Sequence, residues 1–224
     1  MASMAGPPKQ QRSRDSLERL LSAGLEMLDA PDGDGFTIAA VAERAGVGVA
    51  LVYRRFADKD ALLAALLRRF TDQTVVALKP RISALKSADG SLETLVFGYV
   101  QVFASMFRDH ENLMRAFIAL NHGTPALSAA FHEGIRAITS LTQPVLLERD
   151  EFRCTDPELA VAFCTQQTLV AFAALVATHD ARSEIHWDAT TGRLGAMMLA
   201  YLLAEPTGAC VAHADSGLGH AGHG

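Results

Sequence analysis

Two short helices on either side of a tight turn are predicted between Thr37 and Phe56. Threonine is a favoured N-cap, so Thr37 is expected to start the first helix, and Gly46 to end it. Apolar residues follow Thr37 at helical spacing: Ile38, Val41, Ala42 and Ala45. The second helix is expected from about Val49 to Phe56. The pattern therefore predicts a helix-turn-helix, two crossing helices joined by a short turn that contains glycine.

Helical periodicity also runs through the rest of the chain. Leucines from Leu17 to Leu28 predict a first helix that starts at about Asp15 and ends before the turn-forming residues 31–35. A long helix is expected after Asp58 as N-cap, with Pro80 bending or ending it. Further helices are predicted at about 91–108, 111–121, 125–149, 157–179 and 188–204. Strand-like alternation is missing, so we predict an all-α fold.

Composition divides the chain into four regions. We expect a flexible basic arm at residues 1–14, a three-helix helix-turn-helix head at 15–70, a larger helical domain at 71–204 and a disordered tail at 205–224. Residues 1–70 carry ten Lys and Arg and nine Asp and Glu, leaving ten and sixteen for the rest. The net charge of -5 therefore comes from residues 71–224 and says little about the surface of the head.

Cysteine usage and hydropathy indicate a cytoplasmic protein. The three cysteines share no metal-binding spacing, and an odd number argues against a disulfide framework. We find no secretory segment near Met1. Apolar runs such as Leu169 to Ala177 are far shorter than the roughly 20 residues of a membrane span, so no membrane partner is expected.

Catalytic and cofactor motifs are missing from the sequence. It contains no Glu-x-x-His pair, no GxSxG and no GxxxxGK. We therefore expect no enzyme, no cofactor and no metal site. Three histidines near the end, His213, His220 and His223, either bind metal adventitiously or are simply solvated, and the sequence does not decide whether they have a role.

The helix-turn-helix segment also carries a family motif. Its matching residues are Thr37-Ile38, Val41-Ala42, Ala45-Gly46-Val47, Tyr53, Phe56, Lys59 and Leu62. On these residues the chain resembles the tetracycline-repressor-like (TetR) family over about 50 residues of its head. The resemblance implies DNA contacts, with Thr37, Tyr53 and Lys59 facing phosphates. Thr37 acting only as a helix cap, and Tyr53 acting only in packing, are the alternatives.

Readout of the bases is expected from the second helix of the motif. Gly48 stands where the family usually has a Ser or Thr N-cap, and Val49, Ala50 and Leu51 cannot donate hydrogen bonds to bases. Apolar contact with thymine methyl groups remains for these three residues. Hydrogen-bonding specificity is then left to Arg54, Arg44 and the basic arm. The predicted DNA-binding set is Thr37, Arg44, Val47, Gly48, Val49, Ala50, Leu51, Tyr53, Arg54 and Lys59. Solvated helix charge is the alternative for Arg54.

The larger domain is expected to bind a small molecule and to form the dimer. The resemblance implies that the last two helices, 157–179 and 188–204, pair with those of a second copy; complete burial within one subunit is the alternative. Methionine and aromatic side chains are compatible with a pocket, although any one of them is more simply explained as core. The candidate ligand-binding residues are Tyr99, Phe103, Met106, Met114, Phe117, His122 and Phe131.

These observations predict a transcriptional regulator. We expect a repressor that binds double-stranded operator DNA as a homodimer and is released by an unknown hydrophobic or amphipathic effector. The alternatives are an activator, a helix-turn-helix protein without a small-molecule inducer, and a head that has lost its affinity for DNA.

Overall fold

The chain folds into a succession of α-helices throughout the part that the structure describes. The computed structural model describes residues 9–30, 35–87, 90–121, 123–178 and 185–204. Within these ranges the helices are α1 Lys9–Leu28, α2 Ile38–Arg44, α3 Val49–Arg55, α4 Lys59–Ser87, α5 Leu92–Asp109, α6 Glu111–Leu120, α7 Pro125–Leu147, α8 Pro157–Thr178 and α9 Trp187–Leu203. The all-α prediction is confirmed. The predicted tail at 205–224 and most of the turn at 31–35 lie outside the described residues.

Side-chain caps place several helix starts where the sequence predicts them. Thr37 Oγ1 accepts a hydrogen bond from Ala40 N at 3.1 Å, and Asp58 Oδ1 accepts one from Ala61 N at 2.7 Å. Gly46 follows α2 with a φ of 62°, a conformation that side chains disfavour. Local capping chemistry therefore sets the boundaries of the helix-turn-helix.

Two helix ends differ from the sequence prediction. Helix α1 begins at Lys9 and not at about Asp15, so residues 9–14 are helical where an arm was expected. That segment lacks large apolar side chains, and polar contacts support it instead: Gln11 Nε2 donates to Asp15 Oδ1 at 2.8 Å. Helix α4 continues through Pro80 to Ser87. Pro80 lies on the exposed side, where the carbonyl group left without its usual N–H partner can bind water.

The four N-terminal helices form the head around a small apolar core. Leu20, Val41, Val52 and Leu62 are all completely buried there. Helix α4 leaves the head and packs along α7, where Gly134 permits a close approach: a Cβ atom at this position would lie 2.9 Å from Thr71 Oγ1. Helix α4 therefore belongs to both the head and the larger body.

The body is completed by α5 to α9. Helix α5 packs on α9, and α8 contacts α5, α6, α7 and α9. Among the described helices, α8 is long and apolar enough to cross a membrane by length and composition, but 44% of its most apolar window is buried inside the chain. Its contacts on several sides are those of a core helix in a helical domain.

Candidate nucleic-acid interface and apolar cavity

Helix α3 has one buried and one exposed face. Val52 is completely buried and holds the helix against the head, and Val47 and Phe56 pack partly buried on the same core. On the other face Tyr53 is 58% exposed and Val49 39% exposed. Ala50 is exposed beside them, and Leu51 is half-buried. The fold therefore presents a largely apolar helix face with a tyrosine hydroxyl to the outside.

The three predicted phosphate contacts lie on exposed parts of the head. Thr37 combines an exposed position with its role as N-cap of α2. Lys59 begins α4, and its Nζ lies 5.4 Å from the centroid of the Phe36 ring, a cation–π contact that orients the side chain. A hydroxyl, a phenol and an ammonium group suit anionic oxygens. Their roles towards DNA stay predictions.

Three arginines of the helix-turn-helix differ in how their side chains are held. Arg44 Nε lies 3.4 Å from Glu26 Oε2 in an exposed ion pair that restrains it only weakly. Arg55 donates to the backbone oxygen of Ser13 at 2.8 Å and to its hydroxyl at 2.6 Å, so it holds the end of α3 against α1. Arg54 is exposed and follows Tyr53 on the outer side of α3. Of these arginines, Arg54 is therefore best placed to reach a base.

Gly48 occupies the N-cap position of α3 without contributing a side-chain hydrogen bond. The helix forms nevertheless, because glycine at an N-cap costs only a few tenths of a kcal/mol relative to a capping side chain. A Cβ atom at Gly48 would meet nothing within 4 Å. Open space therefore surrounds the start of α3.

An apolar cavity of about 150 Å³ lies in the body. Helices α4 to α8 all contribute to its wall, and the lining contains no charged side chain; its polar side chains are Thr71 and Thr74. The lining residues are Leu67, Phe70, Thr71, Thr74, Met106, Phe107, Met114, Ile118, Ala130, Phe131, Gly134, Ile135, Ile138, Leu169, Val170 and Ala173. Such a cavity suits an uncharged apolar molecule.

Three of the seven predicted ligand-binding residues line this cavity: Met106, Met114 and Phe131. Tyr99, Phe103 and Phe117 are completely buried in the core and are not part of the lining. His122 lies outside the described residues. The sequence prediction missed the contribution of α4 and α8, because helical periodicity shows which residues face inward but not which neighbouring helices enclose a space.

The Tyr99 hydroxyl is satisfied inside the core. It lies 2.8 Å from Thr165 Oγ1 and 3.2 Å from Thr142 Oγ1. Burial raises the pKa of Tyr99 to about 12, and the hydrogen bonds to the two threonines oppose this shift. Tyr99 is therefore a neutral, structural group that joins α5, α7 and α8.

The last two helices present apolar side chains to the outside. On α8, Leu159 is 67% exposed, Phe163 47% and Val170 54%. Met197 and Tyr201 are similarly exposed on α9, and the Phe163 and Tyr201 rings lie 5.5 Å apart. We call these five residues the α8/α9 face. Complete burial of both helices within one subunit, the alternative considered above, is wrong.

Potential metal ligands do not cluster in the part of the chain that the structure describes. No group of three or more His, Cys, Asp or Glu residues is placed to hold an ion there. Cys164 is buried, and burial raises the pKa of its thiol to about 11. The thiol is therefore neutral and unreactive.

A helix-turn-helix head that shares a long helix with a cavity-bearing helical body defines the class of helical DNA-binding regulators. Residues 20–66 match the family model described as "Bacterial regulatory proteins, tetR family". The head therefore matches the tetR family over these residues, as its motif indicates. This is a family of DNA-binding regulators and not of enzymes.

Similarity to curated proteins covers part of the chain. The HTH-type transcriptional regulator BetI of Escherichia coli is 37% identical over 82 residues, which span 36% of this chain and 42% of BetI. The match thus covers less than half of the relative's length.

Similarity to solved structures extends over most of the fold. A TetR-family regulator from Mesorhizobium loti superposes with a TM-score of 0.61 at 21% identity, covering 85% of this chain and 96% of the other. FadR of Bacillus halodurans, a regulator of fatty acid degradation, gives a TM-score of 0.60 at 16% identity, covering 82% and 97%. At these identities the likeness shows the fold alone.

Proposed function

We propose that this protein is a transcriptional repressor that binds operator DNA as a homodimer and releases it when a small apolar molecule enters the body. The observation that carries the proposal is the continuity of α4. This helix begins at Lys59 beside the DNA-facing side of the head and contributes Leu67, Phe70, Thr71 and Thr74 to the cavity. A change at the cavity can therefore reach the head through a single element.

On DNA, α3 enters the major groove with its exposed face. Tyr53, Thr37 and Lys59 bind phosphates around it, while Val49 and Ala50 contact thymine methyl groups. Arg54 supplies hydrogen bonds to base edges. The exposure of these side chains and the anchoring of α3 through Val52 and Arg55 support this arrangement.

Two heads are needed for specific binding, because one helix-turn-helix offers few base contacts. The α8/α9 face supports pairing of two copies through the last two helices. An exposed apolar surface of this kind is unfavourable in water and is characteristic of an interface. The paired heads would then read two half-sites about 34 Å apart, or a multiple of this distance.

Release follows from a shift between two populations. One state has the two heads correctly spaced for DNA, and the other does not. A molecule that binds the second state more tightly lowers the affinity for DNA by up to the ratio of its affinities for the two states. The uncharged lining of the cavity favours a neutral, apolar effector. Acting on DNA inside the cell, the protein would be cytoplasmic.

Footprinting on the intergenic DNA upstream of the protein's own gene tests this proposal. We expect protection of two half-sites on one face of the duplex. The exposed residue Arg54 provides the matched test of readout: Arg54→Ala should weaken binding to the protected sequence more than binding to random DNA. Lys79→Ala, at an exposed position on α4 about 30 Å along the helix from Lys59, is the control and should leave both unchanged. Equal loss on both DNAs would make Arg54 a phosphate contact and contradict its role in base reading.

A further inference from the structure

The cavity of the body reaches the surface beside two of its lining residues. Its lining residues on α4 and α5 are all buried. Two lining residues are exposed: Ile135 on α7, at 40%, and Val170 on α8, at 54%. The mouth of the cavity therefore lies between α7 and α8.

The same Val170 belongs to the α8/α9 face. At 3.6 residues per turn, Leu159, Phe163 and Val170 point within about 40° of one another around α8. The Phe163 and Tyr201 contact continues this face onto α9. The mouth of the cavity thus lies at the edge of the surface that the proposed function assigns to pairing.

We propose that a second copy of this chain closes the mouth, so that the cavity has a complete wall only in the dimer. This inference rests on the dimer of the proposed function and adds that the partner subunit forms part of the effector site.

Charge favours a second copy as the occupant of this face. Helix α8 carries one charged residue, Glu158, at its start, and the exposed positions from Leu159 to Ala174 are apolar or amide side chains. On α9 one exposed cation, Arg193, precedes Met197 by one turn, so the face carries few charges for a nucleic acid or a strongly charged partner. A largely apolar face of this kind can pair with its own copy about a two-fold axis.

Closure by the partner makes pairing and ligand binding depend on each other. A molecule that fills the cavity contacts both subunits, so it binds more tightly to the dimer. By thermodynamic linkage, each filled cavity stabilises the dimer by the same factor. An apolar cavity of roughly 150 Å³ accepts a molecule of the size of benzene. The ligand class is therefore a small, neutral, apolar compound.

Fluorobenzene, followed by ¹⁹F NMR, is a suitable probe. Its affinity is measured for the full chain across a dilution series that spans dimer and monomer, with the oligomeric state followed by sedimentation. We expect the dimer to bind the probe about tenfold or more tightly than the monomer, within the usual range of coupling between sites. Because the dimer holds two such cavities, saturating probe should lower the dimer dissociation constant by the square of this factor, about a hundredfold.

Phe163→Arg provides a second test, because Phe163 lies on the α8/α9 face and does not line the cavity. This variant should be monomeric and bind the probe as weakly as the diluted protein. Ala119→Arg, at an exposed position on α6, is the control and should match the unchanged protein. The dilution series keeps the test valid if Phe163→Arg does not fold.

Equal probe affinity in monomer and dimer would overturn the inference while leaving the dimer and the footprint intact. No saturable probe binding in either state would also overturn it. A protein that stays monomeric at every concentration would overturn both this inference and the proposed dimer, which separates the two failures.

Discussion

Asp29 joins the head to the body. Its replacement by alanine should lower the free energy of unfolding through the loss of a hydrogen bond and of a charge. Asp29 follows α1, and its Oδ1 accepts a hydrogen bond from Leu113 N, in the first turn of α6, at 3.2 Å. Its backbone oxygen accepts a second one from Asn112 Nδ2 at 3.1 Å. Because α6 also places Met114 and Ile118 in the cavity, this contact is a second link between cavity and head.

The side chain of Asp29 contributes as a cap and as a charge. Loss of a capping oxygen at a helix N-terminus costs about 1 kcal/mol. A carboxylate near the positive end of the helix dipole adds about 0.5 kcal/mol at low ionic strength. The bond from Asn112 uses the backbone and survives substitution. We therefore expect Asp29→Ala to lower the free energy of unfolding by about 1.5 kcal/mol, and Asp29→Asn, which keeps the oxygen, by about 0.5 kcal/mol.

Urea unfolding at a fixed protein concentration measures both changes. In about 1 M salt the charge contribution is screened, so Asp29→Asn should approach the unchanged protein while Asp29→Ala stays lower by about 1 kcal/mol. Equal stability of the alanine variant and the unchanged protein would refute the cap. Equal stability of the two variants at high salt would show that the oxygen contributes nothing.

Three further substitutions test the packing and hydrogen bonding of the body. Tyr99→Phe removes the hydroxyl shared with Thr142 and Thr165 and should lower the free energy of unfolding in urea by about 1 kcal/mol. Burial raises the pKa of Tyr99 from 10.0 to about 12, so the unchanged protein should lose stability as the pH rises from 10.0 towards 12. The phenylalanine variant should lose less over the same pH range. Gly195→Ala would place a Cβ atom 2.8 Å from Phe97 Cδ1 and should destabilise the protein by about 1–3 kcal/mol. Gly192→Ala, with nothing within 4 Å in the same helix, should instead stabilise it by about 0.5–1 kcal/mol, and the opposite order would contradict the packing of α9 on α5.

The sequence predicts those parts of the fold that depend on local chemistry. Thr37 and Asp58 mark helix starts because a capping side chain acts within three residues of itself. The start of α1 was missed because Arg55 supports it from 42 residues away through Ser13. Contacts at such separations leave no periodic pattern.

For the candidate sites too, the sequence predicts what depends on local chemistry better than what depends on contacts between distant residues. The exposed face of α3 could be predicted, because a seven-residue helix anchored by Val52 has only one way to face outward. The cavity could be predicted only in part. Met106 and Met114 line it, but Tyr99 and Phe103, on the same helix as Met106, lie in the core. Helix α8 is apolar on nearly all sides, so its sequence does not show which side meets the cavity, the core or a second copy.

Sequence-specific DNA binding is the central claim, and fluorescence anisotropy tests it most directly. The protein is titrated against its own upstream intergenic duplex and against a scrambled duplex of equal length, at two salt concentrations. We expect tighter binding to the upstream DNA and a steep decrease in affinity with salt, since phosphate contacts release counterions. Equally weak binding to both duplexes at both salt concentrations would contradict the claim that the exposed face of α3 reads an operator.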